Sequence, residues 1–194
     1  MKISVIGGAG YVGLITALGA SSMGHEVIST DIDKDKINNL QNNISPIYED
    51  NLDSLLQHCN LKNNIRFTTD SKIAIKQSDL IIISVGTPTN SKGEIDLSQV
   101  EKVTFDLLEN ISSYKLIVIK STLPITAVNM MKNTLSNKFK IDKDFDIISN
   151  PEFLREGRAV NDFYNPDRIV IGGETKKSIN ILKEFYDPLL KKEL

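Results

Sequence analysis

Short segments that are apolar at nearly every position recur along the whole chain, and this pattern restricts the fold more than any other feature. A strand with one face in solvent alternates apolar and polar side chains, whereas a strand covered by helices on both faces is apolar throughout. We therefore predict parallel strands that are buried on both faces. The predicted strands are Lys2–Ile6, Glu26–Thr30, Ile65–Thr68, Leu80–Val85, Leu116–Lys120, Phe145–Ser149 and Arg168–Ile171.

Segments with helical spacing of apolar residues lie between these strands. They are Val12–Met23, Asp33–Leu40, Asn51–Gln57, Ser71–Lys76, Leu97–Ile111, Thr126–Phe139 and Thr175–Phe185. The alternation is not interrupted by a Pro-, Gly- or Ser-rich linker. It predicts one α/β domain over residues 1–194, a doubly wound, mostly parallel sheet with helices on both faces.

Composition excludes several classes of function. The 23 Lys and Arg nearly balance the 25 Asp and Glu, so no basic field attracts nucleic acid or anionic lipid. One cysteine and two histidines cannot form a zinc site or an internal disulfide, which predicts no metal and a reducing, cytoplasmic location. The apolar runs are far shorter than the ~18 residues of a membrane span, so we expect no membrane partner.

A glycine-rich turn follows the first predicted strand and precedes a helix. Gly8, Gly10 and Gly13 have the G-x-G-x-x-G spacing of dinucleotide-binding proteins. In that motif the first glycine allows a turn closed to other residues, the second lets pyrophosphate approach the backbone, and the third lets helix and strand pack closely. The helix amino terminus then offers unpaired N–H groups to the phosphates.

An acidic residue completes this motif at the end of the second strand. Asp31 lies 18 residues after Gly13, where a carboxylate accepts hydrogen bonds from the adenosine ribose. It would repel a 2′-phosphate, so NAD is favoured over NADP, and Asp33 is close enough to be an alternative.

The glycine turn has other interpretations. An ordinary tight turn between strand and helix has the same glycines, and a phosphate-binding P-loop would need a following Gly-Lys-Ser/Thr, which is absent. Gly7 also allows a Gly7-x-x-Gly10-x-x-Gly13 spacing, as in short-chain dehydrogenases and sugar epimerases. That class needs a Tyr-x-x-x-Lys pair, and no tyrosine of this chain has a lysine four residues later.

Polar loops follow three later strands, at the sheet edge where doubly wound folds bind ligands. Each loop taken alone is an ordinary turn or helix cap. The loops are Gly86-Thr87-Pro88-Thr89, Ser121-Thr122-Leu123-Pro124 and Asn150-Pro151-Glu152-Phe153-Leu154-Arg155-Glu156-Gly157.

Together with the glycine turn, these loops resemble the ordered motifs of the UDP-glucose 6-dehydrogenases. Asn165-Pro166-Asp167-Arg168-Ile169-Val170-Ile171-Gly172 extends the resemblance, which covers essentially all 194 residues and is most specific in the Glu152 loop. Dehydrogenases of UDP-N-acetylmannosamine and GDP-mannose share the glycine turn. The resemblance implies a Rossmann-like domain that binds NAD, and oxidation of the UDP-glucose C6 alcohol to a carboxylate by two NAD⁺ through cysteine-bound intermediates.

The resemblance also implies roles for individual residues. Glu152 would be the general base, Thr122 would position a catalytic water, and Glu156 would contact the nicotinamide side. Phe153, Leu154 and Arg155, with Glu152 and Glu156, would border the sugar nucleotide. The residues expected to bind the cofactor are Gly8, Ala9, Gly10, Tyr11, Val12, Gly13, Asp31, Lys36, Val85, Gly86, Thr87, Pro88, Thr89, Ser121, Thr122, Leu123 and Glu156.

The chain departs from the family pattern in three respects. The turn has one additional glycine, and Ile125-Thr126-Ala127 replaces the usual Val-Gly-Thr after Pro124. The family's linker helix and UDP-binding C-terminal domain would lie outside these residues. So would its nucleophilic cysteine, because the single cysteine here, Cys59, follows a helix away from the strand ends and is expected to be an ordinary thiol.

We therefore expect this chain alone to bind NAD(H) weakly, to turn over no substrate and to be monomeric, whereas the full-length protein would be a homodimer. The competing hypothesis is a self-contained dinucleotide sensor.

Overall fold

The computed structural model describes residues 1–89, 93 and 95–190. These residues form a six-stranded sheet, parallel throughout, with the order β3-β2-β1-β4-β5-β6. The strands are β1 Lys2–Ile6, β2 Glu26–Thr30, β3 Ile65–Thr68, β4 Leu80–Ile83, β5 Lys115–Ile119 and β6 Phe145–Ser149. The helices are α1 Tyr11–Ser22, α2 Lys34–Gln41, α3 Leu52–Lys62, α4 Ser71–Gln77, α5 Ser98–Asn110, α6 Ile125–Ser136, α7 Ala159–Tyr164 and α8 Lys176–Leu190.

The direction of winding reverses beside β1. Strands β2 and β3 extend the sheet on one side of β1, and β4, β5 and β6 extend it on the other. At the last residue of β1, Ile6 pairs with Thr30 on one side and with Ile83 on the other. The loops that follow β1 and β4 therefore diverge from this point and leave a crevice, which is where such sheets bind ligands.

Apolar side chains from both faces of the sheet explain the continuous hydrophobic strands. In β4, Leu80 and Ile82 pack in one cluster of buried residues, and Ile81 and Ile83 pack in another on the opposite face. The first cluster includes side chains of α1 and α8, and the second includes those of α5 and α6. The predicted doubly wound α/β fold with helices on both faces is thus confirmed.

The predicted seventh strand is wrong. Arg168–Ile171 is irregular, and its neighbour Gly172 forms only an isolated antiparallel bridge with Ser149. The Asn150 side chain donates a hydrogen bond to the Val170 carbonyl (2.7 Å), and Val170 is exposed rather than covered by a helix. One side-chain hydrogen bond and one isolated bridge thus take the place of the regular backbone hydrogen bonds between strands that a seventh strand would need.

Three helices differ most from the prediction. Helix α3 continues to Lys62, beyond the predicted end at Gln57, so the expectation that Cys59 follows this helix is wrong: Cys59 lies within it. Helix α7 was not predicted because it has only six residues, too few for a periodic pattern to be visible. Helix α8 continues through Pro188 to Leu190, beyond the predicted end at Phe185. None of the helices in the described ranges is long and apolar enough to cross a membrane.

Helix α7 packs closely on α1 at a glycine. A methyl group added at Gly19 would lie 2.1 Å from Cε1 of Phe163, whose ring is buried in the core. The aromatic ring therefore occupies the space that a side chain at residue 19 would need.

We predict that Gly19→Ala lowers the free energy of unfolding by about 1 to 3 kcal/mol, because overpacking outweighs the gain in helix propensity. Urea denaturation measures this, and Gly172→Ala is the control, since its added methyl group would meet nothing closer than 3.7 Å. A Gly19→Ala variant as stable as the control would contradict the packing described.

Candidate functional site

The turn between β1 and α1 is fixed by its own backbone. Gly7 has a φ of +82°, a conformation that favours glycine, and the N–H groups of Gly7 and Gly8 both donate to the Thr30 carbonyl (2.9 and 2.8 Å). The motif spacing predicts the unusual turn conformation at Gly8, and this prediction is wrong: the additional glycine, Gly7, takes it. Gly8 is restricted for another reason, since a side chain there would collide with Ser29 Oγ.

The other two glycines of the motif differ in what surrounds them. A Cβ atom on Gly13 would lie 2.1 Å from the Gly7 carbonyl oxygen, so α1 packs directly against the turn. A Cβ atom on Gly10 would meet only the Gly7 oxygen, at 3.4 Å, and Gly10 lines the crevice. Close packing at Gly13 and open backbone at Gly10 are the two properties that a pyrophosphate cradle needs.

Helix α1 presents an uncapped amino terminus beside the crevice. It begins at Tyr11 after Gly10, and no side chain of the described residues caps it. Its first turn also contains no acidic residue. The unpaired N–H groups and the positive end of the helix dipole are therefore available to an anion. Val12 is partly exposed in this turn, and its carbonyl accepts a hydrogen bond from the Thr16 hydroxyl (2.7 Å).

Asp31 supports the turn as well as facing the crevice. Its Oδ2 accepts a hydrogen bond from the Ala9 N–H (3.0 Å), and its Oδ1 accepts one from the Asp33 N–H (3.1 Å). Each carboxylate oxygen can accept a further bond, so the side chain can still take ribose hydroxyls. Asp33 caps α2 by accepting from the N–H groups of Asp35 and Lys36. This use of its carboxylate favours Asp31 over the alternative acid.

The crevice between the loops after β1, β2 and β4 has a volume of about 380 Å³. Its walls include Asp31, Lys36, Val85 and Gly86 as well as the glycine turn. The exposed Lys36 ammonium lies 4.0 Å from the Asp33 carboxylate. Residues predicted to bind the cofactor from two further segments, the one after β2 and the one after β4, thus line the same crevice as the glycine turn.

The segments after β4 and β5 contact each other. Ser121 Oγ donates to the Val85 carbonyl (2.6 Å), and Thr87 Oγ1 donates to the Thr122 carbonyl (3.4 Å). Thr87 to Thr89 and Ser121 to Leu123 do not line the crevice beside the turn. The Pro88 carbonyl accepts from the Asp96 N–H, and Thr89 forms an isolated bridge with Ile95. Leu123 lies in a groove near β6 instead.

Glu152 lies in an irregular loop after β6. Residues 151–158 contain no helix, so Glu152 is not in the first turn of a helix. Its carboxylate accepts a hydrogen bond from the Leu154 N–H and lines a narrow cavity of about 80 Å³ with Lys120 and Tyr186. Thr122 is exposed and does not line this cavity, so the two predicted catalytic residues are not brought together.

Lys120, at the end of β5, was not predicted as a site residue. It is only 8% exposed, and its ammonium has no hydrogen-bond partner among the described residues. Burial lowers the pKa of Lys120 from its ordinary 10.5 to about 8, although the nearby Glu152 carboxylate acts in the opposite direction. A lysine that ends a hydrophobic strand has no distinctive sequence signal, which explains why it was missed.

The residues predicted to border the sugar nucleotide are held in different ways. Arg155 is paired with Asp162 through three hydrogen bonds of 2.7 to 3.1 Å, from its backbone N–H and its guanidinium. The hydrogen bond from the Arg155 side chain lowers the pKa of Asp162 to about 2. Phe153 is half exposed under the Arg168 guanidinium, Leu154 is partly buried and Glu156 is exposed.

A glycine turn at the switch point of a doubly wound sheet, with an acid at the end of β2, defines the NAD-binding domain of a dehydrogenase. The chain belongs to the UDP-glucose/GDP-mannose dehydrogenase family, because the sequence profile of that family's NAD binding domain matches residues 1–190. The family predicted from the motifs is therefore confirmed, as is the cofactor NAD.

Individual relatives agree with this assignment. The UDP-glucose 6-dehydrogenase TuaD of Bacillus subtilis is 41% identical over 187 residues, which cover 96% of this chain and 40% of TuaD. The GDP-mannose dehydrogenase of Pseudomonas aeruginosa, solved as a ternary complex, superposes with a TM-score of 0.90 at 36% identity over 96% of this chain and 44% of its own. The UDP-N-acetyl-mannosamine dehydrogenase Cap5O of Staphylococcus aureus superposes with a TM-score of 0.87 at 27% identity. The match covers 98% of this chain and 46% of Cap5O. The chain spans less than half the length of these relatives.

We predict that Lys120→Met stabilises the fold by about 1 to 3 kcal/mol near pH 7, because it removes a buried charge. Between pH 8 and 10.5 the folded wild-type protein gives up the proton that the unfolded chain still holds, so the wild type gains stability with rising pH. The difference between variant and wild type should therefore shrink over that range.

Urea denaturation at pH 7 and pH 10 measures this difference, and the exposed Lys34→Met is the matched control. A difference that is the same at both pH values would show that the Lys120 pKa is not lowered by burial.

Proposed function

We propose that this chain is the NAD-binding part of a UDP-glucose 6-dehydrogenase, which oxidises UDP-glucose at C6 to UDP-glucuronate. The observation that carries the proposal is the position of the Glu152 loop beside helix α1, at the same sheet edge as the glycine turn. Several relatives of 36 to 42% identity are named UDP-glucose 6-dehydrogenase, which supports UDP-glucose over GDP-mannose and UDP-N-acetylmannosamine. A reducing, cytoplasmic location belongs to the same proposal and is supported by the unpaired Cys59.

The residues present fit NAD. Open backbone at Gly10 and the uncapped start of α1 would hold the pyrophosphate, and the Asp31 carboxylate would take the adenosine ribose. NAD⁺ held by these residues would supply the hydride acceptor for the oxidation. The carboxylate at Asp31 would disfavour a 2′-phosphate, so NADP should bind less well.

Glu152 would act as the general base. Its carboxylate is partly exposed in the cavity and can accept a proton from the C6 hydroxyl or from a water molecule. Thr122 would position that water, although it does not line the cavity in this structure. The Arg155–Asp162 pair would fix the backbone next to the sugar rather than contact it with a free guanidinium.

The thiol for the covalent steps would come from outside these residues. Cys59 is fully buried, its Sγ donates to the Leu18 carbonyl, and burial raises its pKa, so it is a poor nucleophile. The linker helix and UDP-binding domain of the family would supply the cysteine and the dimer interface. We therefore expect the 194-residue chain to bind NADH without UDP-glucose-dependent turnover.

Asp31→Asn should weaken NAD⁺ binding about tenfold, because an amide replaces the charged acceptor, and should narrow the preference for NAD⁺ over NADP⁺. Isothermal titration calorimetry of the chain measures both affinities. Glu26→Gln, at the other end of the same strand, is the control and should bind as the wild type does. An Asp31→Asn variant with unchanged NAD⁺ affinity would contradict this role.

In the complete enzyme, Glu152→Gln should lower kcat by at least about a hundredfold, because general base catalysis is lost, with the Kd for NAD⁺ changed less than about threefold. Steady-state kinetics and NADH fluorescence titration measure the two quantities. Equal losses in both would indicate a structural role for Glu152 and would favour the sensor hypothesis.

A further inference from the structure

Glu49 is a buried carboxylate that lies outside all of the sequence motifs described above. It precedes helix α3, lies outside any helix or strand and is only 6% exposed. Burying a carboxylate costs several kcal/mol unless hydrogen bonds compensate. Its neighbours in the chain, Tyr48 and Asp50, are both exposed, so Glu49 alone of these three residues turns into the protein.

Three groups from distant parts of the chain compensate for this burial. Oε1 accepts hydrogen bonds from the Gly157 N–H (2.7 Å) and the Tyr11 hydroxyl, and Oε2 accepts one from the Ala159 N–H (3.0 Å). Burial raises the pKa of Glu49, but these hydrogen bonds outweigh it and hold the pKa below its usual range. The carboxylate is thus charged and satisfied at neutral pH.

These partners belong to the two halves of the candidate site. Tyr11 is the first residue of α1 and follows the glycine turn directly. Gly157 lies near the end of the loop that carries Glu152, and Ala159 is the first residue of α7, directly after that loop. Gly157 has a φ of +80°, a conformation that favours glycine. One carboxylate therefore joins the nucleotide turn to the end of the catalytic loop.

The other end of that loop is fixed independently. Asn150 donates from its backbone N–H to the Ile119 carbonyl and from its side chain to the Val170 carbonyl, and its Oδ1 accepts from the Tyr186 hydroxyl. Between Asn150 and Gly157 the loop contains no helix or strand to hold its shape. Two contacts place it relative to α1: the Arg155–Asp162 pair holds its middle to α7, and Glu49 joins its last residues directly to the start of α1.

We propose that Glu49 is a positioning residue for the dehydrogenase reaction, which holds the Glu152 loop at a fixed place relative to the glycine turn. The Tyr11 hydroxyl donates to Glu49, while the Tyr11 backbone belongs to the start of α1, which is proposed to bind the pyrophosphate. The inference rests on the proposed function for its catalytic consequence, but the contact itself can be tested without turnover.

Hydrogen exchange tests the contact in the 194-residue chain. In Glu49→Gln the side-chain NH₂ group faces one of the backbone N–H donors. The hydrogen-bonded amides of the loop, Leu154, Arg155, Gly157, Arg158 and Ala159, should therefore exchange about tenfold faster or more, while those of β1, β4 and β5 keep their rates. Tyr11→Phe keeps both backbone hydrogen bonds and should give a smaller increase. The exposed neighbour Asp50→Asn is the matched control and should change nothing.

Kinetics of the complete enzyme test the consequence. Glu49→Gln should lower kcat by about ten- to a hundredfold and leave the KM for NAD⁺ within about threefold, because misplacement of the base affects chemistry more than cofactor binding. Unchanged exchange of those loop amides in Glu49→Gln would overturn the proposal, as would equal effects on kcat and KM. If Glu49→Gln does not fold, wild-type exchange in Tyr11→Phe overturns it instead. If the wild-type chain does not bind NADH, the proposed function is refuted. The exchange experiment still tests separately whether Glu49 holds the Glu152 loop.

Discussion

The close contact between helix α1 and the turn before it is the constraint on which the site depends. Gly13 lies against the Gly7 carbonyl with no room for a side chain, which brings the amino terminus of α1 directly to the end of β1. Because the turn is bare backbone and the helix start is uncapped, N–H groups rather than side chains face the crevice. An anion can thus be bound in a protein whose net charge is −2.

The sheet and its loops are arranged around this contact. Asp31 holds the Ala9 N–H and so fixes the second half of the turn while presenting free lone pairs to the crevice. Glu49 connects the first residue of α1 to the loop of Glu152, and Asp162 fixes the middle of that loop through Arg155. Three buried or half-buried carboxylates therefore organise a site whose ligand is expected to be an anionic dinucleotide.

Much of this architecture could be predicted from the sequence. Short apolar runs identified the six observed strands. Burial on both faces leaves a signal in every residue of the central strands β4 and β5, whereas the edge strand β3 exposes Arg66. The Arg168–Ile171 segment misled the prediction, since it has strand-like composition but bonds to the side chain of Asn150. Gly7 shows a similar limit: spacing locates the turn, yet which glycine takes the positive φ is decided by contacts with Thr30 and Ser84. Glu49 and Lys120 could not be predicted because their roles depend on partners that are close only in the folded chain.

An amide-resolved NMR titration of the chain with NADH tests the central claim most directly. Binding as described predicts that the largest shifts occur at the backbone amides of Gly10 to Gly13 and at Ile32 beside the ribose site, and that these shifts follow one common binding curve for a single site. Shifts that are absent there, or that occur only at the far end of the sheet near Lys115, would contradict it.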